Sequence, residues 1–311
     1  MYDKLTIELV STRPFVYNNS KVIDLIQKIL AVLEPYDEYM DCQEAWAHPR
    51  LHPQKMVKYN NAAMNLISEK VSSEETIVYG VRDWDFVSKG NHGKQAYVNI
   101  GVGCQQTNGS HEFGYRTSLV FHPETARILL DNGLVSIIGE LVQAVSADYG
   151  CMDFHRFCSA GMMAADLIRL AGINLKSEPD EYNLTGLLPC LSWWTLLNKQ
   201  HIAALGGKEA ILEQAPCYAV HDLSTDQYEA MALQLTAEPE GMKKRDYTML
   251  RNYLKPVIPP TNKYALTLLL KSRKIPLSRL KWNVSAEEIA EAEALTSLSS
   301  AELREKAAES V

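Results

Sequence analysis

The sequence predicts an α+β fold: a mostly antiparallel sheet, or sheets, with helices packed on one face, a split βαβ-like centre and a helical C-terminal extension. Three observations carry this expectation. The chain opens on β-prone alternation and passes directly into an amphipathic helix. Two Gly-containing alternating segments flank Asn108-Gly109, a strong hairpin turn. Strands also come in consecutive runs separated by helix pairs, not in strict strand–helix alternation. The expected organisation is an N-terminal α+β subdomain over 1–172, a second α+β subdomain over 173–260 and a helical extension over 261–311.

In order along the chain, Lys4–Ser11 alternates as a first strand. Pro14 and Tyr17-Asn18-Asn19 end it. Ser20 then caps a helix reaching Leu33, with Val22, Ile23, Ile26, Ile29, Leu30 and Leu33 as its stripe. The acidic, aromatic stretch after Pro35 reads as a long irregular loop. Met56–Val71 reads as a helix and Thr76–Val81 as a strand. Asp83-Trp84-Asp85 and the Gly90–Gly93 turn lead into a strand over Gln95–Cys104, where Val98, Ile100 and Val102 alternate with Asn99, Gly101 and Gly103. Gly114–Phe121 returns as its hairpin partner.

Pro123 opens a short helix, and Leu134–Ala147 is the best amphipathic helix in the chain. Tyr149–Phe154 reads as a strand and Ser159–Leu170 as a helix. Asn183–Gly207 reads as a helix opened by Pro189 and stopped by Gly206-Gly207. Its expected structural core is Trp193, Trp194, Leu197, Leu205, Gly206 and Gly207. Cys217–His221 and Met231–Thr236 form a strand pair. Gly241–Leu254 and Tyr264–Lys271 are helical, and the capping boxes Ser285/Glu288 and Ser299/Glu302 start two final acidic helices.

Composition narrows the function. The chain has 311 residues, 46% of them hydrophobic, with a formal net charge of −7. An acidic balance argues against direct nucleic-acid binding, which depends on Lys and Arg neutralising phosphates. It suits a basic protein partner. The 6 scattered cysteines do not resemble a disulfide scaffold, and reduced thiols are the simpler expectation. Met1–Phe15 has no basic segment followed by an apolar run, so no signal peptide is expected and the expected location is cytoplasmic. No window approaches the roughly 18 apolar residues of a membrane span.

No constellation of catalytic or cofactor-binding residues stands out. Cys151, Asp153, His155 and Cys158 form the most chemical-looking segment, and on a strand the first three share a face. Zinc needs four ligands, usually in closely spaced pairs, and there is no second pair. The bland reading is a strand end with hydrogen-bonded polar residues. The alternative function is a thiol- or metal-dependent hydrolase built on these four residues. Gly101-x-Gly103 lacks the third glycine and the helix start of a phosphate loop. Gly206-Gly207-Lys208 ends a helix where a P-loop would open one. His122-Pro123-Glu124 fits a helix start better than an acid/base pair. No catalytic residue, cofactor or metal is therefore assigned.

The acidic stretches remain as the candidate binding surface: Asp37, Glu38, Asp41, Glu44 and Trp46, then Glu74, Glu75, Asp83, Trp84 and Asp85. Carboxylates steer a basic partner and aromatics supply contact area. The competing reading is an ordinary solvated acidic surface with its aromatics folded back on the core.

Gly186, Trp193-Trp194-Thr195-Leu196-Leu197, then Leu205-Gly206-Gly207 and the following strand, resemble a segment of the bacterial type VI secretion immunity-protein family. The order of elements matches over about 1–240. Where members often carry an aromatic after the tryptophan, this chain has Leu196-Leu197. The resemblance implies a non-enzymatic antidote that binds a cognate effector toxin and blocks it by stoichiometric occlusion. Related families accompany DNA nucleases of the restriction-endonuclease type. It transfers no toxin-contacting residue, and it leaves monomer or homodimer open.

Overall fold

A computed structural model of the chain describes residues 4–11, 19–35, 42–48, 57–58, 83–89, 96–107, 111–155, 188, 191–258, 262–272 and 286–309. The fold is α+β. It divides into two compact units, one formed by Met1–Ala160 with Asp222–Ala230, the other by Gly161–His221 with Met231–Val311.

The first unit contains β1 (Lys4–Ser11), α1 (Asn19–Leu33), β2 (Cys42–His48), β3 (Val57–Lys58), β4 (Asp83–Lys89), β5 (Ala96–Thr107), β6 (His111–Phe121), α2 (Pro123–Asp131), α3 (Leu134–Val145) and β7 (Tyr149–His155). Its strands lie in the order β3-β2-β4-β5-β6-β1-β7, and each neighbouring pair is antiparallel. The first strand of the chain therefore sits inside the sheet, flanked by two strands from more than 100 residues later. Leu5, Ile7 and Leu9 on β1, with Leu119 and Phe121 on β6, are essentially unexposed. α2 packs on β1 and β6, and α1 packs on α2 and α3. The stripe expected for α1 is buried at Val22, Ile26, Ile29, Leu30 and Leu33, joined by Leu25. Each such side chain contributes roughly 1.5–3 kcal/mol by leaving water.

Three stretches differ from expectation. The segment read as a loop after Pro35 contains β2, and Asp83-Trp84-Asp85 opens β4. Asp, Glu, Lys and Ala are poor strand formers, so these strands depend on their ladder partners more than on their own residues. Val57–Lys58, expected within a helix, pairs with β2 as a strand. The rest of Met56–Val71, Thr76–Val81 and Ser159–Leu170 lie outside the described residues.

The second unit contains β8 (Trp194–Asn198), α4 (Lys199–Ala204), α5 (Lys208–Gln214), β9 (Ala219–Asp222) except Asp222, β10 (Ala230–Gln234) except Ala230, α6 (Lys244–Tyr253), α7 (Lys263–Ser272), α8 (Ala286–Ala294) and α9 (Ser300–Glu309). Its strands are ordered β8-β10-β9. The double-tryptophan segment is thus a strand followed by a short helix, not one long helix. Every residue of Trp194–Asn198 is buried, so both faces of β8 are covered and the period-2 signal is erased. Such a run cannot be told from a buried helix by periodicity. Asn198 then starts α4: its Oδ1 accepts from the N–H groups of Gln200 (2.9 Å) and His201 (3.1 Å), and His201 Nδ1 accepts from Asn198 N–H (3.2 Å). An imidazole here fills the place usually taken by a Glu or Gln side chain.

Gly206 and Gly207 stop that helix as expected. Both have positive φ, 95° and 96°. Gly207 N–H reaches Ile202 O at 2.9 Å and Gly206 N–H reaches Ala203 O at 3.2 Å, the paired bonds of a Schellman motif. Gly206 is exposed and Leu205 half-buried, so this end of the stretch acts through backbone conformation. Trp193 and Trp194 are buried, and Trp193 Nε1 donates to Thr236 O at 2.8 Å. Helix α5, unmarked in the sequence reading, presents one buried residue, Ile211.

At the C-terminus, α7 packs on both α8 and α9. Thr267 Oγ1 donates to Ala292 O (3.0 Å), and Lys271 Nζ donates to Thr296 O (3.1 Å). The Ser299/Glu302 capping box forms: Ser299 N–H donates to Glu302 Oε2 (2.8 Å) and Glu302 N–H to Ser299 Oγ (3.2 Å). Ser285 lies outside the described residues. Among the described residues no single helix is long and apolar enough to cross a membrane.

His122 precedes α2, and its carbonyl accepts from Ala126 N–H (2.8 Å). Burial lowers its pKa from 6.5, Glu124 opposes this and Lys4 adds to it. The folded state therefore binds the proton less readily than the unfolded chain. The contribution of His122 to stability is complete above about pH 6.5 and falls as pH drops through its folded pKa. An NMR titration should place the imidazole below the ordinary histidine value, and His122→Gln should flatten this acid-side decline.

Trp194 is 1% exposed on the fully buried β8. Trp194→Ala should cost roughly 3–5 kcal/mol in chemical denaturation. A variant as stable as the parent would contradict the placement of this residue in the core.

Candidate functional site

The ladder registers of the first unit sort its residues into rows that cross the sheet. Side chains alternate between faces, so residues directly opposite one another share a face. One row runs Trp46–Asp85–Gly101–Ser118–Glu8–Cys151. A second on the same face runs Glu44–Val87–Asn99–Val120–Thr6–Asp153. The intervening rows, on the opposite face, run Ala45–Phe86–Ile100–Leu119–Ile7–Met152 and Ala47–Trp84–Val102–Thr117–Leu9–Gly150. One face is therefore almost wholly apolar, and it is the face that the apolar stripes of α1–α3 can bury. The other carries Glu8, Glu44, Asp83, Asp85 and Asp153 together with Lys4, Lys58, Lys89 and Arg116, so it is polar and of mixed charge.

This polar face joins the two groups of residues singled out in the sequence. Glu44, Trp46, Asp83 and Asp85 from the acidic stretches share it with Cys151 and Asp153, and His155 alternates onto it opposite Lys4. Trp84 falls on the apolar face instead, opposite Ala47 and Val102. Asp37, Glu38, Asp41, Glu74, Glu75 and Cys158 lie outside the described residues. The signal that could have found the face was present: Glu44-Ala45-Trp46-Ala47-His48 and Asp83-Trp84-Asp85-Phe86-Val87 both alternate.

Around β1 and β7, Thr6 is 1% exposed, Glu8 2% and Asp153 7%. Carboxylates buried to this degree must be hydrogen-bonded or paired, and both have polar partners. One of these is the N–H of Phe154, which donates to Asp153 Oδ1 at 2.7 Å. Asp153 and Glu8 at this depth serve the interior of the sheet. Lys58 on β3 stands opposite Glu44 on β2.

The chemistry available to the thiols is limited. Cys151 is 6% exposed and stands opposite Glu8, where a nucleophile would need access and a cationic neighbour. Cys217 is half-buried, its Sγ directed to Ala219 O at 3.4 Å, and burial pushes its pKa up to about 11. Among the described residues no three His, Cys, Asp or Glu groups are placed to hold a metal ion. Mass-spectrometric mapping of alkylation should therefore find Cys217 slow at neutral pH and accelerating about tenfold per pH unit towards pH 11. Fast labelling of Cys217 at pH 7 would contradict this.

No protein-family model matches the sequence, and no curated protein matches it. Among solved structures, the Pseudomonas aeruginosa T6SS protein PA0821 is similar, with a TM-score of 0.59 and 14% identity, over 94% of this chain and 88% of that one. The chain shares the fold of that type VI secretion protein.

Proposed function

We propose that this chain is an immunity protein of a type VI secretion system, which binds one effector toxin and neutralises it by occlusion, without turnover. The observation that carries this reading is the fold held in common with a type VI secretion protein over almost the full length of both chains. The resemblance of the Trp193–Gly207 segment to the immunity family points the same way. The role is cytoplasmic, and the effector is a DNA nuclease of restriction-endonuclease type. Such an enzyme presents a basic cleft for DNA, and an acidic inhibitor surface competes for that cleft.

The polar sheet face holds the carboxylates this reading calls on, Glu44, Asp83 and Asp85, alongside Lys58, Lys89 and Arg116. Glu44, Trp46, Asp83 and Asp85, on β2 and β4, are assigned to the contact, and buried Glu8 and Asp153 to its support. Carboxylates here would steer encounter, so association should slow as salt rises. Co-expression with the neighbouring toxin gene should restore growth, and the two proteins should co-elute on gel filtration. The double variant Asp83→Lys/Asp85→Lys should weaken the complex at least about tenfold, roughly 1.4 kcal/mol or more. Persistent toxicity with no complex would refute the immunity reading. Full affinity in the double variant would refute only the surface.

A further inference from the structure

The first unit takes in one segment from far along the chain, Asp222–Ala230, the turn that joins β9 to β10. It lies against α3 and is fitted there by shape. Leu223 is 9% exposed, and a Cβ placed on Gly139 of α3 would stand 3.0 Å from its Cδ2. Glycine inside a helix weakens that helix, so its place in the middle of the most amphipathic helix of the chain has a packing reason. It leaves a notch for Leu223. Two hydrogen bonds fix the turn further along. Gln143 Nε2 donates to Leu223 O at 3.1 Å, and Tyr228 Oη donates to Ala147 O. Burial, then the charge of Asp148, raises the pKa of the Tyr228 phenol, so its hydroxyl stays a donor. These bonds bracket Ser146, the C-cap of α3, which is left-handed at φ 46°. Just beyond it Asp148 N–H donates to Val10 O of β1 at 2.9 Å. The turn therefore grips the junction between α3 and β7.

The turn also holds its own shape. Ser224 N–H donates to Asp222 Oδ1 (3.0 Å), Leu223 N–H to Ala230 O (3.0 Å), Thr225 N–H to Tyr228 O (2.7 Å) and Ala230 N–H to Ser224 Oγ (3.3 Å). Its tip, 225–227, is exposed. The ladders that join β1–β7 do not pass through it. Lifting it from α3 breaks the docking contacts, leaves the local bonds in place and frees little backbone. Those are the conditions for a local opening that precedes global unfolding.

We propose that Asp222–Ala230 is a clasp on the first unit: a preformed turn that opens and shuts on α3 while the sheet stays folded, and that when shut locks the α3–β7 junction. The inference does not depend on the immunity reading.

Native-state thiol labelling of the full chain, mapped by mass spectrometry, tests it. Leu223→Cys places a reporter in the notch, and Cys151, 6% exposed on β7 of the same unit, reports opening of the sheet. Below the unfolding transition the introduced thiol should be modified much faster than Cys151. Its rate should barely respond to urea, because little surface is exposed when the clasp opens, whereas that of Cys151 should climb steeply. Adding Tyr228→Phe or Gln143→Ala should each speed the reporter roughly three- to tenfold, the effect of one lost hydrogen bond, without steepening its urea response. A reporter modified only at the rate and urea slope of Cys151 would overturn the proposal, since the turn would then open only with the whole unit. So would a reporter rate indifferent to both Tyr228→Phe and Gln143→Ala.

Discussion

Everything in the first unit depends on the position of β1 between β6 and β7. The strand must satisfy two ladders at once, so its register fixes both neighbours, and a slip of one residue would exchange its faces. Leu5, Ile7 and Leu9 make that exchange costly. They meet Leu119, Phe121 and Met152 on the side that the helices bury, while Thr6 and Glu8 occupy the other side. Moving Glu8 into the apolar layer would bury a carboxylate among hydrocarbon, which costs several kcal/mol. The alternation of six residues near the N-terminus thereby sets the facing of strands as far along the chain as Tyr149–His155.

The register carries the polar side, buried at Thr6, Glu8, Cys151 and Asp153, across to β2 and β4. Strands of low intrinsic propensity can hold acidic residues there because the ladder, not the residues, fixes their conformation. In the second unit the buried tryptophans take the structural part. Trp193 is tied to Thr236 through its indole N–H and to Leu235 through its carbonyl, and Tyr247 donates to Leu191 O, so β8 and its lead-in are held by both β10 and α6. The double-tryptophan segment is thus core.

Much of this was legible in the sequence where apolar residues recur on one face of an element. The β5–β6 hairpin followed from the alternation of Val98, Ile100 and Val102 and from Asn108-Gly109, and α1 and α3 followed from their stripes. Legibility failed where burial is symmetric, as in β8, and where propensity opposes the ladder, as in β2 and β4. The candidate site was legible as two unrelated lists, one of acidic residues and one around Cys151. That Trp46 and Cys151 share a row could not be seen, because five successive cross-strand pairings connect them, and each depends on contacts remote in sequence. Trp84 shows the same limit within three residues: it was grouped with Asp83 and Asp85, and the pleat puts it on the opposite side.

Hydroxyl-radical footprinting of the chain with and without its effector tests most directly whether the two faces of the first sheet divide the labour in this way. Protection should concentrate on Glu44, Trp46, Asp83 and Asp85, leaving the exposed residues of α1, such as Lys21, Asp24 and Gln27, unchanged. Protection confined to the α1 surface, with β2 and β4 unaffected, would contradict it.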